Sequence, residues 1–466
     1  MTQYDVVVVG CGTGGQTAAH ALNTHGLKVA VVEASDRPGG ICALAGCQAK
    51  KYFYEAAETV ARSRHLAGKG IAETARGDWA AVQKQKSAFT ENVPDGTIDG
   101  LMSEGIDYIE GRARFFDDGT LSVDGESLPA DHVILATGAR PMPLPIEGIE
   151  HAIDSSAFLD LTALPRRIVF IGGGFISFEF AHFAARLGPP DARITILEAA
   201  DRPLGPFDGE MVSLLVAAGK AEGIRVKTSV KITAITRSGG ELTVHTASGE
   251  AHPADLVVHG AGRVPEIDSL NLDAAGIRYS RRGIEVTDEM RTTSPAEGGV
   301  FAVGDCAATV QLARVADYEA QVAARNIIAA REGGQPARID YRTVPAVLFT
   351  YPQYAMMGVT EASLLIAGTS YRRSFGKEVR WPTYRRVGMD HAAFKILVGK
   401  DDQILGAHIL SDNATGLINT LRMAAAGRMG VGELYRHSIM TPYPSRESDL
   451  LYMLRPFLPK DALDIF

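Results

Sequence analysis

The stretch VVVVGCGTGG, residues 6–15, is the clearest indication of the fold. Four consecutive valines are typical of a strand buried on both faces, and the glycines allow a tight turn into the alanine-rich segment that follows. A second strand is expected from Lys28 to Glu33, where it ends in an acid. This order predicts a dinucleotide-binding βαβ unit, because glycine turns bring the backbone close to a pyrophosphate and the terminal acid accepts ribose hydroxyls. The candidate ligands are Gly10, Gly12, Gly15 and Glu33.

The same pattern occurs a second time. A strand over Ile168–Ile171 runs into GGGFIS (172–177), a helix to about Leu187 and a strand from Ile194 to Glu198. One such glycine motif is weak evidence, but each copy follows an apolar strand and has its acid 33 − 10 = 23 or 198 − 172 = 26 residues after the first glycine. The alternative is two ordinary glycine turns. The second set of candidate ligands is Gly172, Gly174 and Glu198, with Ser177 in the place of the third glycine.

Composition limits the protein class. The chain has 466 residues, 46% hydrophobic and 22% charged, which fits an ordinary globular protein of about three domains. The formal net charge of −8 argues against a nucleic-acid partner, because phosphate contacts need a basic face. No apolar run approaches the roughly 18 residues of a membrane span, and MTQYDVVVVG has no secretory pattern. We therefore expect a cytoplasmic protein without a membrane partner.

Two of the four cysteines, Cys42 and Cys47, are five residues apart in GGICALAGCQAKK (39–51), ahead of a helical pattern over 52–63. Both thiols are expected near a helix N-terminus, where the dipole and Lys50 and Lys51 would lower a thiol pKa. Such a pair would be a reversible dithiol and disulfide. The alternatives are two buried core cysteines or half of a metal site, but no further cysteine or nearby histidine completes one. Cys11 and Cys306 are expected to be inert.

The remaining segments predict further apolar strands and a separate C-terminal domain. Apolar strands are expected in HVILATGARPMPLP (132–145), DLVVHGAGRVPEI (255–267) and GVFAVGDCA (299–307). From about Val344, strands in PAVLF, FKILV and ILGAHIL surround a helix in ATGLINTLRMAAAGRM, as in an α+β domain. The predicted fold class is α/β, with two Rossmann-like dinucleotide-binding domains followed by this α+β domain.

These motifs, in this order and over essentially the whole chain, resemble the FAD-dependent pyridine nucleotide-disulfide oxidoreductases, which include dihydrolipoamide dehydrogenase, glutathione reductase and mercuric reductase. GGICALAGC is similar to the family's GGTCxNxGC redox motif, and GGGFISFE to its GGGYIAxE nicotinamide-dinucleotide motif. ATGARP, GAGRVPE and FAVGDCA resemble its flavin-domain signatures. VPAVLFTYPQYAMMGVTE resembles the start of its dimerisation domain.

The resemblance implies a domain organisation and a set of roles. The FAD-binding domain would comprise 1–148 and 283–342, the NAD(P)-binding domain 149–282, and the interface domain of a head-to-tail homodimer 343–466. Cys42 would attack the substrate disulfide, Cys47 would lie against the flavin, and Lys51 would lie near flavin N5 with Glu179 as its acidic partner. Asp305 would bind the ribityl chain of FAD. The remaining cofactor contacts would be Gly40, Thr137, Gly138, Gly262 and Arg263.

Glu198 bears on the choice of nucleotide. An acid at this strand end accepts the ribose 2′-hydroxyl and repels a 2′-phosphate, which favours NADH over NADPH. Arg202, four residues on, weakens this preference slightly.

The chain departs from the family in its C-terminal loop. The family's HPTxxE motif carries a His–Glu dyad that reaches the partner's active site, whereas this chain has Tyr443 and Ser448 at those positions. A phenol donates a proton but is a poor base at neutral pH. The family resemblance implies that Tyr443 completes the other subunit's site, and a tyrosine at this position resembles soluble transhydrogenases and mercuric reductases. Gly416 and Arg314 stand where glutamate and histidine are common.

Three hypotheses follow. The first is an NADH-dependent flavoenzyme that passes electrons through FAD and the Cys42–Cys47 disulfide to a disulfide or dithiol substrate, small or carrier-bound. The second is a flavin reductase whose acceptor is a quinone, a metal ion or a second nucleotide, and the third is a non-enzymatic FAD-binding redox sensor. Separately, six basic residues in the segment 371–387 form either a solvated hairpin face or a docking surface for an anionic partner.

Overall fold

The computed structural model describes residues 3–459. Within them the chain forms two compact units. The first comprises Met1–Tyr52, Lys84–Pro143 and Gly262–Tyr341, and the second Phe53–Gln83, Leu144–Ala261 and Arg342–Phe466, each as far as the described residues extend. Over this range, no helix has both the length and the apolarity that crossing a membrane requires.

Fourteen α-helices lie within the described range. They are α1 Thr13–Thr24, α2 Gly40–Leu44, α3 Cys47–His65, α4 Trp79–Thr90, α5 Val93–Ser103, α6 Ser155–Asp160, α7 Phe175–Leu187, α8 Gly209–Ala221, α9 Ala313–Glu332, α10 Glu361–Ile366, α11 Pro382–Arg385, α12 Ala414–Ala426, α13 Val431–Ser438 and α14 Leu450–Leu454.

Twenty-four strands lie in the same range. They are β1 Tyr4–Val9, β2 Val29–Glu33, β3 Asp107–Glu110, β4 Ala113–Phe115, β5 Leu121–Val123, β6 Glu126–Ser127, β7 Ala130–Leu135, β8 Ala139–Pro141, β9 Arg167–Ile171, β10 Arg193–Leu197, β11 Ile224–Lys227, β12 Ile232–Ser238, β13 Glu241–Thr246, β14 Ala251–Ala254, β15 Leu256–His259, β16 Arg263–Pro265, β17 Tyr279–Ser280, β18 Gly283–Ile284, β19 Val300–Ala302, β20 Pro345–Leu348, β21 Gln353–Gly358, β22 Arg372–Gly376, β23 Ala393–Val398 and β24 Ile404–Ser411.

The first unit is built on a five-stranded parallel sheet of order β19-β7-β1-β2-β3. Its central strand β1 alternates between two cores, with Val7 and Val9 packed in one and Val6 and Val8 in the other. Burial on both faces explains why the strand is a continuous apolar run. The register pairs Val6 with Val29, so the glycine turn after β1 opens at the carboxyl edge of the sheet, where such folds bind ligands.

The second unit contains the other βαβ unit. Its four-stranded sheet is parallel, in the order β11-β10-β9-β15, with Ile168 opposite Ile194. An antiparallel sheet, β12-β13-β14, lies beside it in the chain, and Val169, Ile171 and Val244 share one core. Both βαβ units expected from the glycine patterns are therefore confirmed, with strand starts shifted by one residue (Val29 and Arg193).

The C-terminal part of the second unit is a five-stranded antiparallel sheet, β20-β21-β24-β23-β22. Helices α12, α13 and α14 pack on it, and Ile396, Ile409, Leu417 and Leu454 are among the residues of their common core. The predicted mixture of strands and helices after Val344 and the overall α/β class are confirmed.

Candidate active site

The first glycine turn leaves a helix end open to an anion. Helix α1 begins after Gly12, and its first turn has neither a side-chain cap nor an acidic residue. By contrast, α6 is capped by the carboxylate of Asp154, which accepts from two backbone N–H groups. Uncapped N–H groups at the positive end of a helix suit a phosphate. This end of α1 therefore fits the dinucleotide pyrophosphate.

The acid of the first unit is held beside the same turn. Glu33 Oε2 accepts from the Cys11 N–H at 2.7 Å, and its Oε1 accepts from the Ser35 N–H at 2.8 Å. The Gly10 N–H donates to Val32 O at 2.7 Å. These bonds orient the carboxylate at the strand end, where a ribose hydroxyl would reach it.

Five further candidate residues of the first unit lie at or near the ends of β7, β16 and β19. The Thr137 hydroxyl donates to Glu266 O at 2.6 Å, and Arg263 donates to Ala139 O. Gly138 has a φ of +74°, and an added Cβ would meet open space there. Burial raises the pKa of Asp305, although the charge of Arg263 opposes this rise. These positions fit the cofactor contacts that the resemblance implies, and Gly262 precedes Arg263 at the start of β16.

The redox motif packs directly against the first turn. Gly40 begins α2, and a Cβ on it would lie 2.6 Å from Gly12 Cα, so a glycine is needed for this approach. Cys42 lies within α2 and is half-buried, whereas Cys47 is exposed and is the first residue of α3. The interpretation of the pair as two buried core cysteines is therefore wrong, and the position near helix N-termini is confirmed.

Both cysteines of the pair are thiols in this structure, and Cys42 hydrogen-bonds Cys47. That contact, with burial and the Asp317 carboxylate, raises the pKa of Cys42, while the Thr13 hydroxyl lowers it. The expectation of a lowered pKa is thus wrong for Cys42, because its proton is shared with the Cys47 sulfur, whose negative charge opposes a second thiolate, and because burial disfavours the charged form. Adjacent sulfurs in hydrogen-bond contact are the reduced form of a pair that can close to a disulfide.

Lys51 and Glu179 lie in different units. Lys51 is half-buried on α3, four residues after Cys47, and therefore on the same helix face. Glu179 lies on α7 and is 1% exposed; its Oε1 accepts from the Phe349 N–H at 2.9 Å. A buried carboxylate with this backbone donor is firmly oriented.

The second glycine turn repeats the first. Helix α7 begins after Gly174, without a side-chain cap or an acidic first turn. Glu198 Oε2 accepts from the Gly173 N–H at 2.5 Å and Oε1 from the Ala200 N–H at 2.7 Å. The Gly172 N–H donates to Leu197 O at 2.8 Å. The residues therefore fit a second dinucleotide.

Arg202 is occupied by the backbone of its own loop. Its guanidinium donates to the carbonyl oxygens of Leu204 (3.3 Å), Phe207 (3.0 Å) and Gly205. A guanidinium whose N–H groups already donate to these carbonyl oxygens is poorly placed to bind a 2′-phosphate.

The C-terminal loop presents Tyr443 to solvent, with 76% of the residue exposed. Ser448 hydrogen-bonds Ser445 rather than Tyr443. Its hydroxyl donates to Ser445 O at 2.7 Å and accepts from the Ser445 N–H at 3.2 Å. Glu447 Oε1 instead accepts from Asn413 Nδ2 at 2.7 Å, and it lies 2.7 Å from where a Cβ on Gly416 would stand. Gly416 thus leaves room for the Glu447 carboxylate.

The loop is anchored by Arg446. Its guanidinium makes two hydrogen bonds to Asp412, at 2.6 and 2.9 Å, and lies 3.8 Å from the centroid of the Tyr384 ring. This bidentate pair is 9% and 6% exposed at the two side chains.

Much of the basic segment 371–387 is paired within the chain. Arg372 bonds Asp402 at 2.5 Å and Phe457 O at 2.8 Å, Arg373 bonds Glu361 at 3.0 Å, and Arg386 donates to Pro444 O at 3.0 Å. These contacts favour the solvated hairpin face over a docking surface.

Comparison with known proteins decides the family. The profile described as "Pyridine nucleotide-disulphide oxidoreductase" matches residues 4–320, and that of the family's dimerisation domain matches 344–449. The chain belongs to the pyridine nucleotide-disulphide oxidoreductases. It is therefore an FAD-dependent enzyme that uses a pyridine nucleotide, and the hypothesis of a non-enzymatic sensor is wrong.

Individual relatives of this oxidoreductase differ in substrate. It is 32% identical to the dihydrolipoyl dehydrogenase of Geobacillus stearothermophilus (92% of this chain, 91% of that protein). It is 31% identical to the glutathione reductase of Burkholderia cepacia (91% and 93%). The HOCl-induced flavoprotein disulfide reductase RclA from Escherichia coli has the same fold, with a TM-score of 0.85 at 24% identity, covering 97% of this chain and 99% of that one. RclA has also been solved as a Cu(II) complex, with a TM-score of 0.86.

Sequence reasoning missed several residues of the site. Thr13, inside the first glycine motif, could have been suspected from its position, but its contact with Cys42 joins segments that only the fold brings together. Asp317 and the Asp412–Arg446 pair had no signal, because their partners are distant in the chain.

Proposed function

We propose that this enzyme transfers electrons from NADH, through FAD and the Cys42–Cys47 pair, to a disulfide substrate. The observation that carries the proposal is the contact between the two thiols on a segment packed against the first glycine turn. Bound FAD would supply two-electron transfer between the nicotinamide and the disulfide. It would be held by the first unit, at the α1 N-terminus, Glu33, Gly40, Lys51, Thr137, Gly138 and Asp305.

The chain's own residues divide the chemistry. Two electrons and two protons convert the Cys42–Cys47 disulfide to two thiols. Cys42 Sγ then attacks one sulfur of the substrate and releases the other as a thiol, and Cys47 Sγ displaces the bound half as Cys42–Cys47 re-forms. The substrate leaves as two thiols, so electrons and protons balance. The Thr13 hydroxyl favours the attacking Cys42 thiolate.

Tyr443 would supply a proton donor rather than a base. Its exposure is consistent with a site completed by a second subunit, and we propose a homodimer in the cytoplasm. The pairing of Ser448 with Ser445 leaves the residue at 443 without the acid that orients the family's histidine. A phenol gives a departing thiolate its proton but removes one poorly near neutral pH.

NADH is the proposed nucleotide. The Glu198 carboxylate lies at the second glycine turn, and Arg202 is bound to carbonyl oxygens of its own loop. A 2′-phosphate would meet an anion and no available guanidinium. Flavin reduction much faster with NADPH than with NADH would contradict this proposal.

The experiment compares Cys42→Ser with the control Cys306→Ser. Cys306 is buried and donates to two carbonyl oxygens at 3.3 Å, which a serine hydroxyl can also do. Cys42→Ser is expected to lose turnover of a panel of disulfides (lipoamide, glutathione disulfide and carrier-bound lipoyl groups) while NADH still bleaches the flavin. The control should retain both reactions. Disulfide turnover that survives in Cys42→Ser would overturn the proposal.

A second candidate acceptor is a metal ion or quinone. The lack of a base at position 443 favours it, because electron transfer to a metal ion or a quinone requires no deprotonation of a thiol substrate. The related fold of RclA, solved as a Cu(II) complex, makes Cu(II) the first ion to test. Cys42→Ser and Cys47→Ser variants that reduce Cu(II) or a quinone at the unmodified rate would favour this function over disulfide reduction.

A further inference from the structure

A buried lysine joins the antiparallel sheet of the second unit to the end of α8. Lys395, on β23, is 1% exposed at its side chain. Its Nζ donates to Asp208 Oδ1 at 2.8 Å, Glu210 Oε2 at 2.7 Å and Glu361 Oε2 at 2.9 Å. These carboxylates raise the pKa of Lys395 against the effect of burial, so the amine stays charged. Three acids around one buried ammonium fix its position closely.

Asp208 is the member of this cluster that ends the segment between β10 and α8. It is the N-cap of α8, where its Oδ1 also accepts from the Met211 N–H at 3.3 Å, and it is 3% exposed. Its own backbone N–H donates to Tyr354 Oη at 3.2 Å. The rings of Tyr354 and Phe207 pack with centroids 5.2 Å apart. Lys395 and Tyr354 therefore hold one end of the segment 199–208, which we call the cover loop.

The other end of the cover loop lies on the second glycine turn. The Leu204 N–H donates to Gly173 O at 2.9 Å, and a Cβ on Gly173 would be 2.8 Å from Pro203 Cβ. Between the two ends, the Arg202 guanidinium is bound to carbonyl oxygens of the loop itself. The loop follows Glu198 directly, so its position determines what surrounds the ribose end of the site.

We propose that Lys395 and Tyr354 are positioning residues for the nicotinamide dinucleotide: by holding the cover loop on the second glycine turn, they set the affinity for NAD(H) and its discrimination from NADP(H). This inference rests on the proposed assignment of that turn to the nicotinamide dinucleotide. A released loop would lose its packing on Gly173, and the loop conformation that places the carbonyl oxygens of residues 204–207 around Arg202 would no longer be fixed at both ends, which would let the guanidinium turn towards a 2′-phosphate. Loss of the contacts that hold the cover loop should therefore weaken the binding of NAD⁺ more than the binding of NADP⁺.

The test is calorimetric titration of the FAD-loaded enzyme with NAD⁺ and with NADP⁺. Tyr354→Phe removes one hydroxyl acceptor and keeps the packed ring, and it should weaken NAD⁺ binding about three- to tenfold. Lys395→Met should weaken it about tenfold or more, and in both variants the NAD⁺/NADP⁺ affinity ratio should fall. Arg373→Met is the matched control, since Arg373 contacts Glu210 and Glu361 at the exposed rim, and it should stay within about twofold.

A second measurement separates positioning from stability. Flavin reduction at saturating NADH should proceed within about twofold of the unmodified rate in Tyr354→Phe, whereas a purely structural role would lower the melting temperature and leave NAD⁺ affinity unchanged. Unchanged NAD⁺ and NADP⁺ affinities in Tyr354→Phe would overturn the inference, whether or not Lys395→Met folds. If the unmodified enzyme bound neither nucleotide, the proposed function itself would fail.

Discussion

The two glycine turns of this chain have the same geometry but meet their steric requirement differently. In both, the first glycine donates to the strand of the terminal acid, at 2.7 and 2.8 Å, and the acid accepts from the N–H of the next residue, Cys11 or Gly173. In both, the helix begins without a side-chain cap. What differs is the residue at the third glycine of the motif, which is Gly15 in the first copy and Ser177 in the second.

The glycine that permits close packing between helix and strand lies on the helix in the first copy and directly after a neighbouring strand in the second. A Cβ on Gly15 would lie 1.9 Å from Gly10 O, which cannot move without breaking the turn. At the second turn Ser177 is tolerated, and the glycine is Gly260, where an added Cβ would lie 2.1 Å from Ser177 Oγ. The motif therefore requires one absent side chain at each helix–strand contact, rather than glycine at a fixed place.

The residue after the first glycine of the motif differs as well. Cys11 keeps a side chain in the first turn, whereas Gly173 in the second lies under Pro203 of the cover loop. The first turn is covered instead by Gly40 of the redox motif. Each turn is thus adjoined by a different segment, the dithiol segment in the first copy and the cover loop in the second.

The largest expected effect concerns Cys11, the thiol that only the first turn carries. Burial and the Glu33 charge raise its pKa to about 12, so its thiolate fraction at pH 8 should be about a thousandfold below that of an unfolded cysteine. Iodoacetamide at pH 8 should therefore label Cys11 about a thousandfold more slowly in native than in urea-unfolded enzyme, read by mass spectrometry of its peptide. A labelling rate in the native enzyme within tenfold of the unfolded rate would contradict the raised pKa and show that the Cys11 thiol is reactive.

Gly15→Ala should have the next largest effect, because the new Cβ would meet Gly10 O, in the turn that we propose binds FAD. We expect a loss of about 3 kcal/mol or more in stability and poor flavin retention after purification. Ser177→Ala is the matched variant at the second turn and should retain FAD fully. The steric comparison fails if Gly15→Ala retains flavin as well as Ser177→Ala does.

A double-mutant cycle should show the smallest effect. Gly260→Ala is expected to cost about 1–2 kcal/mol, because the Ser177 hydroxyl must rotate away from the new methyl group. Ser177→Ala alone should be neutral or stabilise by up to about 1 kcal/mol, since the buried Ser177 Oγ has no hydrogen-bond partner among the described residues. The double variant should recover most of the Gly260→Ala loss in urea unfolding. Additive effects would show that residues 177 and 260 do not share one steric requirement.

The parts of the fold that sequence predicted are those controlled by local chemistry. Glycine turns after apolar strands, acids at strand ends and an alternating C-terminal pattern each depend on neighbours a few residues away, so both βαβ units and the α+β domain could be predicted. The pKa of Cys42 could not, because it depends on facing Cys47 and on Thr13 and Asp317 from other segments. The net direction is a raised pKa, because the Cys47 sulfur and desolvation outweigh the lowering by the Thr13 hydroxyl.

The sequence by itself determined the fold class, the family and the positions of the dithiol and of the two terminal acids, because spacing along one chain encodes them. Only the tertiary structure decided that Glu179 accepts from the Phe349 N–H, that Arg446 pairs with Asp412, and that Lys395 bonds three carboxylates. The physical reason is range. A hydrogen bond or a steric contact acts over a few ångströms in space, and its partners here are brought together by strand order and packing rather than by position in the chain.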